Sequence, residues 1–384
     1  MTATDTLLPL SGVRVVEFCH MVMGPTCGMI LADLGAEVIK VEPPGGDKTR
    51  QLPGLGIGFF RTFNRNKKSV EIDIHSDAGR ELARRLIATS DAVIENFRPG
   101  LMATLGLDYD TLAVTHPRLI YVALKGFLPG PYEKRTALDE VVQMMGGLAY
   151  MTGPEGRPLR AGSSVNDIMG GMFGVIGVLA ALRDRERTGR GQEVQTALFE
   201  NCAFLVAQHV QQFLMTGTAP RPMPARTSAW GVYDVFTVAD GEQLFVAATS
   251  DKQFRALCNL LRRPDLANDP DFATNTLRVT SRSRLIPALG DAMTALHADA
   301  LAAQLDAAGI PYAPITRPDE LVNDPHLLGS GGLVPMTADD GSTTQTLLLP
   351  LLMGGRRLGV RMPLPEPGAH STEFLAALAT SPAP

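Results

Sequence analysis

Short apolar runs alternate with amphipathic segments along the first third of the chain. The apolar runs occupy residues 13–18, 36–42, 69–74, 92–97 and 119–124. A loop through Gly24 and Pro25 follows the first run, and residues with helical spacing occupy 26–34, 78–88 and the region near Leu101. This alternation of strands and helices predicts right-handed β-α-β units. The pattern therefore predicts an α/β fold with a doubly wound, Rossmann-like large domain.

A smaller α+β domain is predicted after a change in composition at 216–226. Strands at 232–237 and 243–248 flank an Asp-Gly turn, which is typical of a β-hairpin. Further elements are helices near 252–261, 282–295 and 298–308, a short strand from Tyr312, and a closing helix at 372–378. The predicted domains are a large domain at 1–215, a linker with the small domain at 216–325, and a C-terminal segment at 326–384 that returns to the large domain.

Asp167 stands where small residues give way to a long apolar helix. Residues 161–164 are small, and residues 168–182 carry no charge. The helix closes with arginines and a Gly-Arg-Gly turn, as helix ends favour. Asp167 is then either an N-cap or a nucleophile that the helix terminus holds ionised and that substrate approaches closely. The two roles are compatible, and the local pattern does not choose between them.

Composition and charge limit the classes of function. The 384 residues are 45% hydrophobic and 20% charged, as expected of a soluble globular protein with a sizeable core. A net charge of −5 argues against nucleic acid or an anionic membrane as partner, so an anionic ligand needs a local basic patch. The cysteines form no CxxC pair and the histidines show no metal-ligand spacing, so we expect no metal.

We expect a cytoplasmic protein. The free cysteines favour a reducing compartment, and the first six residues lack the basic and then apolar pattern of a signal peptide. The uncharged run at 168–182 is too short and too rich in glycine to span a bilayer. An NAD-dependent dehydrogenase is the first rival on fold alone, because Glu42 could bond a ribose. The loop at 19–25 lacks G-x-G-x-x-G, however, which argues against that class.

Several blocks in order along nearly the whole chain resemble the family III CoA-transferases, the group that includes formyl-CoA transferase and the carnitine and bile-acid CoA enzymes. The blocks lie at 12–18, 35–42, 64–69, 95–100, 139–151, Asp167 with its glycine-rich helix, and 188–192. The resemblance implies that Asp167 is the catalytic nucleophile. Its carboxylate would attack a thioester carbonyl to give a mixed anhydride, and the CoA thiolate would then form an aspartyl thioester that passes CoA to the acceptor acid. An ordinary aspartate pKa of about 4 would keep it anionic at neutral pH without a general base.

The resemblance also implies an oxyanion site and a site for CoA, which is a substrate rather than a permanent cofactor. A glycine loop supplies oxyanion donors in the family, and the matching stretch here, 228–231, offers Gly231 as a second catalytic residue, although a plain β-turn fits equally well. Trp230 either lines the acyl pocket or has only a packing role. The CoA-binding residues implied are His20, Val22, Met23, Arg65, Lys68, Ile72, Asp73, His75, Asn96, Phe97, Arg98, Lys125, Ala137 and Asp139.

The cations Arg65, Lys67 and Lys68 form a cluster suited to the CoA phosphates, unless it is an ordinary solvated charge run. Formyl-CoA transferase has a glutamine matching Val22, so a formyl or oxalyl substrate is not expected here. Related α-methylacyl-CoA racemases carry a histidine where this chain has Leu138. Loss of that base favours CoA transfer over racemisation, unless Glu140 takes the place of the histidine in proton transfer. A CoA-binding protein without catalysis is a third alternative, against which the intact Asp167 motif argues.

The sequence gives little information about which acid accepts CoA. Arg135, Arg160 and Arg226 lie beside motifs expected at the site and could hold a second carboxylate, although surface arginine is the ordinary alternative. We predict succinyl-CoA as donor and a small diacid such as itaconate, mesaconate, citramalate or glutarate as acceptor. The resemblance also implies an interlocked homodimer.

Overall fold

The computed structural model describes residues 8–226, 228–338 and 340–380. The chain divides into two compact units. One comprises the residues up to Pro224 together with those from Pro325 onward, and the other is Ala225–Asp324.

A six-stranded parallel sheet forms the centre of the first unit. Its strands are β1 (Arg14–Phe18), β2 (Glu37–Glu42), β3 (Lys67–Glu71), β4 (Ala92–Glu95), β5 (Ile120–Lys125) and β6 (Glu193–Ala197). The strand order is β3-β2-β1-β4-β5-β6, with every pair parallel. The doubly wound prediction is confirmed, and β6 is an addition to it. The chain reverses its direction of winding between β1 and β4, where sheets of this kind open a crevice at the carboxyl ends of their strands.

Ten helices are found in this first unit before residue 224, among the residues that the structure describes. They are α1 (Met23–Asp33), α2 (Phe59–Phe63), α3 (Asp77–Ala88), α4 (Leu101–Thr104), α5 (Tyr109–Ala113), α6 (Asp139–Met145), α7 (Leu148–Thr152), α8 (Val165–Thr188), α9 (Leu198–Leu205) and α10 (Ala207–Thr216). The prediction of a loop through Gly24 and Pro25 is wrong, since both residues lie in the first turn of α1. Proline is tolerated there because the first amides of a helix have no partner within the helix.

Glycines bring α8 against α1. A Cβ atom added at Gly171 would lie 2.7 Å from the Thr26 Cβ and 2.8 Å from the Met23 carbonyl oxygen. At Gly174 it would lie 3.0 Å from the Cys27 sulfur. By length and composition α8 could cross a membrane. Several of its apolar residues, among them Val175 and Val178, belong to the buried core of the first unit.

The second unit has its own sheet and core. Strands β7 (Val232–Thr237), β8 (Gln243–Ala248) and β9 (Tyr312–Pro314) form an antiparallel sheet in that order. Its helices are α11 (Asp251–Leu260), α12 (Pro264–Asn268), α13 (Asn275–Thr280), α14 (Arg282–Met293) and α15 (Ala298–Ala307). Phe254, Leu285 and Leu301 are buried between sheet and helices. The hairpin prediction is confirmed, because β7 and β8 pair across the Asp-Gly turn.

The residues from Pro325 onward pack on the first unit. They form α16 (Pro325–Gly329), the ribbons β10 (Leu333–Thr337) with β11 (Thr343–Leu347) and β12 (Leu352–Met353) with β13 (Arg356–Arg357), and α17 (Ser371–Thr380). The His370 amide donates to the Ser69 carbonyl at 2.9 Å, so this segment covers the edge strand β3. A covered edge cannot pair with a second chain.

Apolar cores lie on both faces of the parallel sheet. One face buries Leu31 of α1 and Val178 of α8. The other buries Leu86 of α3 and Phe374 of α17. With both faces covered, the crevice at the carboxyl ends of the strands is left as the place for a site.

Candidate active site

Asp167 lies in the first turn of α8 but does not cap it. Ser164 is the N-cap residue, and its side chain makes no capping hydrogen bond. The cap comes instead from Asp139, whose Oδ2 accepts hydrogen bonds from the amides of Asn166 at 2.8 Å and Asp167 at 3.1 Å. The N-cap interpretation of Asp167 is therefore wrong. Two of the orphan amides of α8 are bonded by a carboxylate 28 residues before Asp167 in the chain, which no local pattern reveals.

Asp139 is fully committed to structure. Its Oδ1 accepts a hydrogen bond from the Gln143 amide group, whose own oxygen accepts from the Ala161 amide at 2.8 Å. Asp139 is 6% exposed and Gln143 is fully buried. The carboxyl oxygens of Asp167, by contrast, accept no hydrogen bond from the residues that the structure describes. Of the two carboxyl groups, Asp167 is the one with free oxygens.

The surroundings of Asp167 change its acidity. Burial and, second, the negative charge of Asp139 raise its pKa to about 7, while Arg160 lowers it by less. The expectation of an ordinary aspartate pKa is wrong for the folded protein. Both the protonated and the ionised form of Asp167 are therefore populated near neutral pH.

A cleft of about 270 Å³ contains Asp167. It opens at the carboxyl ends of β1, β4 and β5, beside the point where the winding reverses. Its walls bring together the predicted residues His20, Met23, Asn96, Phe97, Arg98, Lys125, Ala137 and Asp139. Leu138, Thr136 and Arg135 complete one side.

A second cavity of about 400 Å³ adjoins this cleft. It lies at the carboxyl ends of β1, β2 and β3 and contains the predicted residues Ile72, Asp73 and His75. Both cavities include His20, Met21 and Phe97 in their walls, so they are adjacent, and the two together are called the groove.

The wall between the two cavities is held by short-range contacts. The rings of His20 and Phe97 stack at 5.6 Å. The Asn96 side chain accepts from the His20 amide at 3.0 Å and donates to the His20 carbonyl at 2.8 Å. Met21 adopts a φ of +65°, which is unusual for a residue with a side chain, and its amide donates to Thr49 at 3.1 Å. Strained backbone of this kind is often found at binding sites.

Lys125 lines the cleft, but its ammonium group is already occupied. Its Nζ lies 2.5 Å from Glu95 Oε1 and donates to the Phe97 carbonyl at 2.9 Å. The Phe97 amide donates to the other Glu95 oxygen at 2.9 Å. Glu95 is 2% exposed, and this burial raises its pKa even beside Lys125. The pair therefore positions the segment that carries Phe97.

Three of the predicted CoA-binding residues lie outside the groove. Arg65 is buried and pairs with Asp33 at 2.7 Å, and Val22 is 1% exposed in the core. Lys68 pairs with Glu37 and Glu373, each at 3.0 Å, and lines a separate cavity of about 220 Å³.

The prediction of a cationic cluster for the CoA phosphates is therefore wrong. Lys67, the third member, is also buried, where it pairs with Glu17 at 2.7 Å. Spacing reveals a run of cations, but it does not reveal the buried carboxylates that Arg65 and Lys67 meet across the fold.

Gly231 belongs to the second unit and immediately precedes β7. A Cβ atom there would lie 2.3 Å from the Arg278 Cβ, so packing requires glycine. Its amide donates to Asn275 at 3.1 Å, which leaves it engaged within its own unit. Trp230, 39% exposed, packs against Tyr233 at 5.1 Å. The oxyanion role of Gly231 stays a prediction.

Within the described ranges, no three His, Cys, Asp or Glu side chains are grouped so as to hold a metal ion. The four cysteines are buried free thiols.

The family model for CoA-transferase family III matches residues 10–371. The chain belongs to CoA-transferase family III. It is 35% identical to the succinate–glutarate CoA-transferase of Agrobacterium fabrum, over 97% of this chain and 96% of the relative. It is 32% identical to the succinyl-CoA–D-citramalate CoA-transferase of Chloroflexus aurantiacus, over 96% and 94%. A crystal structure of a CAIB/BAIF family protein from Brucella suis is similar with a TM-score of 0.87 at 35% identity, covering 97% of this chain and all of that one.

Sequence reasoning missed several residues that shape the groove of this family III CoA-transferase. The sequence could have indicated Gln143 as a partner of Asp139, because it lies four residues later on the same helix face. Glu95 was visible only as part of a family block. Lys48, an exposed cation in the wall of the larger cavity, and the left-handed Met21 had no signal in the pattern.

Proposed function

We propose that this family III CoA-transferase moves CoA from succinyl-CoA to a small dicarboxylate through covalent intermediates on Asp167. The observation that carries the proposal is the Asp167 carboxyl group, which lines the cleft with free oxygens while Asp139 beside it is fully bonded. The names of the two curated relatives support the choice of acids, since glutarate, succinate and citramalate all carry two carboxylates.

The reaction is a double displacement. An Asp167 oxygen attacks the thioester carbonyl carbon, the C–S bond breaks, and CoA leaves as a thiolate with a succinyl–aspartyl anhydride behind it. The thiolate attacks the aspartyl carbonyl, the anhydride C–O bond breaks, and succinate leaves. The acceptor carboxylate then attacks the aspartyl thioester and displaces the thiolate. Attack of the thiolate on the new acyl carbon releases the product thioester and restores Asp167.

The raised pKa of Asp167 suits this role. Burial makes its carboxylate more basic and less solvated, and both effects favour attack on carbon. The same burial reduces the ionised fraction at neutral pH. Since only the carboxylate attacks, the enzyme should work best above pH 7.

The groove offers room for both ends of CoA. In the proposed arrangement the nucleotide end occupies the larger cavity near Ile72 and His75, and the thioester reaches the cleft with Asp167. Lys48 in the larger cavity and Arg98 in the cleft are exposed and have no ion-pair partner among the described residues. These two cations replace the predicted cluster as partners for the CoA phosphates.

The proposal includes a homodimer. The neighbouring helices α8, α9 and α10 expose large apolar side chains, namely Met172, Ile176, Leu179, Phe204, Leu205, Val210, Phe213, Leu214 and Met215. Exposed apolar surface of this extent favours burial against another chain. Light scattering after size exclusion tests this directly, and a monomer mass would contradict it. The buried free thiols agree with the predicted cytoplasmic location.

A donor–acceptor matrix tests the function. Purified enzyme is incubated with succinyl-CoA or acetyl-CoA and each of a set of diacids and monoacids, and the CoA thioesters are identified by mass spectrometry. The proposal predicts fastest exchange between succinyl-CoA and a four- to six-carbon diacid. Deuterium uptake at the α-carbon of a 2-methylacyl-CoA without exchange would show a racemase instead, and binding without either reaction would show a non-catalytic protein.

A further inference from the structure

Two of the four cations around Asp167 are already paired. Lys125 is held by Glu95 at 2.5 Å. Arg160 lies 3.4 Å from Glu140 and donates through its Nε to the Ala161 carbonyl at 3.0 Å. Arg98 and Arg135 both line the cleft, and neither guanidinium forms an ion pair with any residue in the described ranges. Two arginines in the cleft therefore have N–H groups that can bind a ligand.

Arg135 is held in place without the use of those donors. Its guanidinium stacks over the ring of Tyr132 at 5.0 Å. Tyr132 in turn meets the rings of Phe127 at 5.7 Å and Phe199 at 6.1 Å, both edge-on. Stacking on an aromatic face orients a guanidinium while its N–H groups stay free for a carboxylate.

The cleft otherwise repels a second negative charge. Asp167 and Asp139 both line it, and the negative charge of Asp139 raises the pKa of Asp167 because the two carboxyl groups are close. A diacid that places one carboxylate at Asp167 brings its other carboxylate into the same cleft. A planar guanidinium with free donors offsets that charge and matches the carboxylate geometry.

We propose that Arg135 determines specificity for dicarboxylates by binding the carboxylate of the acyl group that does not react. The inference rests on the proposed function and adds the residue that selects the acid. Arg135 lines the cleft, whereas Arg160 does not line it and lies 3.4 Å from Glu140, so the geometry distinguishes these two arginines, which the sequence left equivalent. Arg98, next to the wall residue Phe97, is the arginine left for a CoA phosphate.

The test is a competition at the acceptor. Full-length enzyme receives succinyl-CoA with equal glutarate and pentanoate, which match in chain length and differ by one carboxylate. The ratio of glutaryl-CoA to pentanoyl-CoA at early times gives the ratio of the two specificity constants, whatever step limits turnover. Arg135→Gln is expected to lower this ratio about 10- to 100-fold, as loss of a charged hydrogen-bonded pair does. Arg135→Lys is expected to restore part of it, because it keeps the charge but not the fork.

Two further variants separate this role from others. Lys134→Gln removes the neighbouring exposed cation, which does not line the cleft, and should leave the ratio unchanged. Arg98→Gln should raise the KM for every acyl-CoA donor without changing the ratio. An unchanged ratio in Arg135→Gln, with both rates equally reduced or intact, would overturn the role of Arg135 but leave the proposed function standing. A wild-type enzyme that exchanges CoA with no acid would overturn both.

Discussion

The Oδ2 atom of Asp139 accepts a hydrogen bond from the Asp167 amide at 3.1 Å, so one carboxylate holds the backbone of the other. The arrangement fixes the head of α8 and keeps a negative charge close to the Asp167 side chain. Asp139 thereby positions Asp167, the proposed nucleophile, and makes its carboxylate more basic.

The pH dependence of the first half-reaction follows from this pair. The pKa of Asp167 is about 7, raised by burial and by Asp139 and lowered by Arg160, so reactive carboxylate accumulates as the pH rises. The rate of succinyl-CoA cleavage at low substrate should increase about tenfold per pH unit below 7 and level off above it. Asp139→Asn removes the neighbouring charge and should move the midpoint to lower pH, whereas the remote, exposed Asp110→Asn should not. A profile flat from pH 5 to 8 would contradict the raised pKa.

Asp167→Asn should abolish transfer and stabilise the fold. We expect a loss in kcat/KM of at least about 1,000-fold, because an amide is a poor nucleophile. The folded pKa lies above the unfolded value, so ionised Asp167 costs stability. That cost is absent below about pH 4, grows between pH 4 and 7, and is complete above pH 7.

The asparagine variant should therefore gain on the order of 2 kcal/mol in the free energy of unfolding at pH 8, after allowance for partial solvent contact, and nothing at pH 3.5. Urea titrations at the two pH values measure the gain. An equal gain at both would show that the charge of Asp167 is not the cause.

The buried pair of Lys125 and Glu95 should be costly to break. Lys125→Met leaves the 2%-exposed Glu95 without its partner and should cost about 3–5 kcal/mol, together with weaker CoA binding as the Phe97 segment loosens. Lys68→Met removes a lysine from a more exposed pair with Glu37 and should cost less than about 1 kcal/mol. Adding Glu95→Gln to Lys125→Met should recover part of the loss. Similar costs for the two lysine variants would contradict the assignment.

The contact between α1 and α8 should not tolerate a methyl group. Gly171→Ala places a carbon within 3.0 Å of Thr26 and of the Met23 backbone, so we expect a loss of about 1–3 kcal/mol and slower transfer, because α8 carries Asp167. Gly58→Ala is the matched control, since Gly58 has helical dihedral angles and open space around the added carbon. Thermal melting compares them, and equal melting temperatures would contradict the close packing.

Local periodicity predicted the strands whose hydrophobic pattern is clear. Strands β1, β2, β4 and β5 and the hairpin of β7 and β8 have apolar runs bounded by clear turns, and the sequence placed each of them. Strand β3 was predicted at 69–74 but occupies Lys67–Glu71, because its first two residues are lysines that the apolar pattern does not include. Strand β6 was missed because its sequence, Glu-Val-Gln-Thr-Ala, is largely polar at the edge of the sheet. The ribbons β10 to β13 were missed because they are short and lie among glycines and prolines.

The residues of the site were likewise predictable only in part. The family resemblance placed residues that follow strand ends, such as His20 and Asn96, in the CoA site, and the fold brings them together because parallel strands end at one edge of the sheet. The partners of Arg65 and Lys67 could not, since Asp33 and Glu17 meet them only through the fold. The capping of α8 by Asp139 is likewise a long-range contact.

Covalent attack by Asp167 is the central claim, and trapping tests it most directly. The enzyme is mixed with succinyl-CoA and hydroxylamine without an acceptor acid, digested, and the peptide containing residues 165–168 is examined by mass spectrometry. A hydroxamate on Asp167, dependent on succinyl-CoA and absent from Asp167→Asn, is the result expected. Active transfer with an unmodified Asp167, or with the hydroxamate on Asp139, would contradict the account.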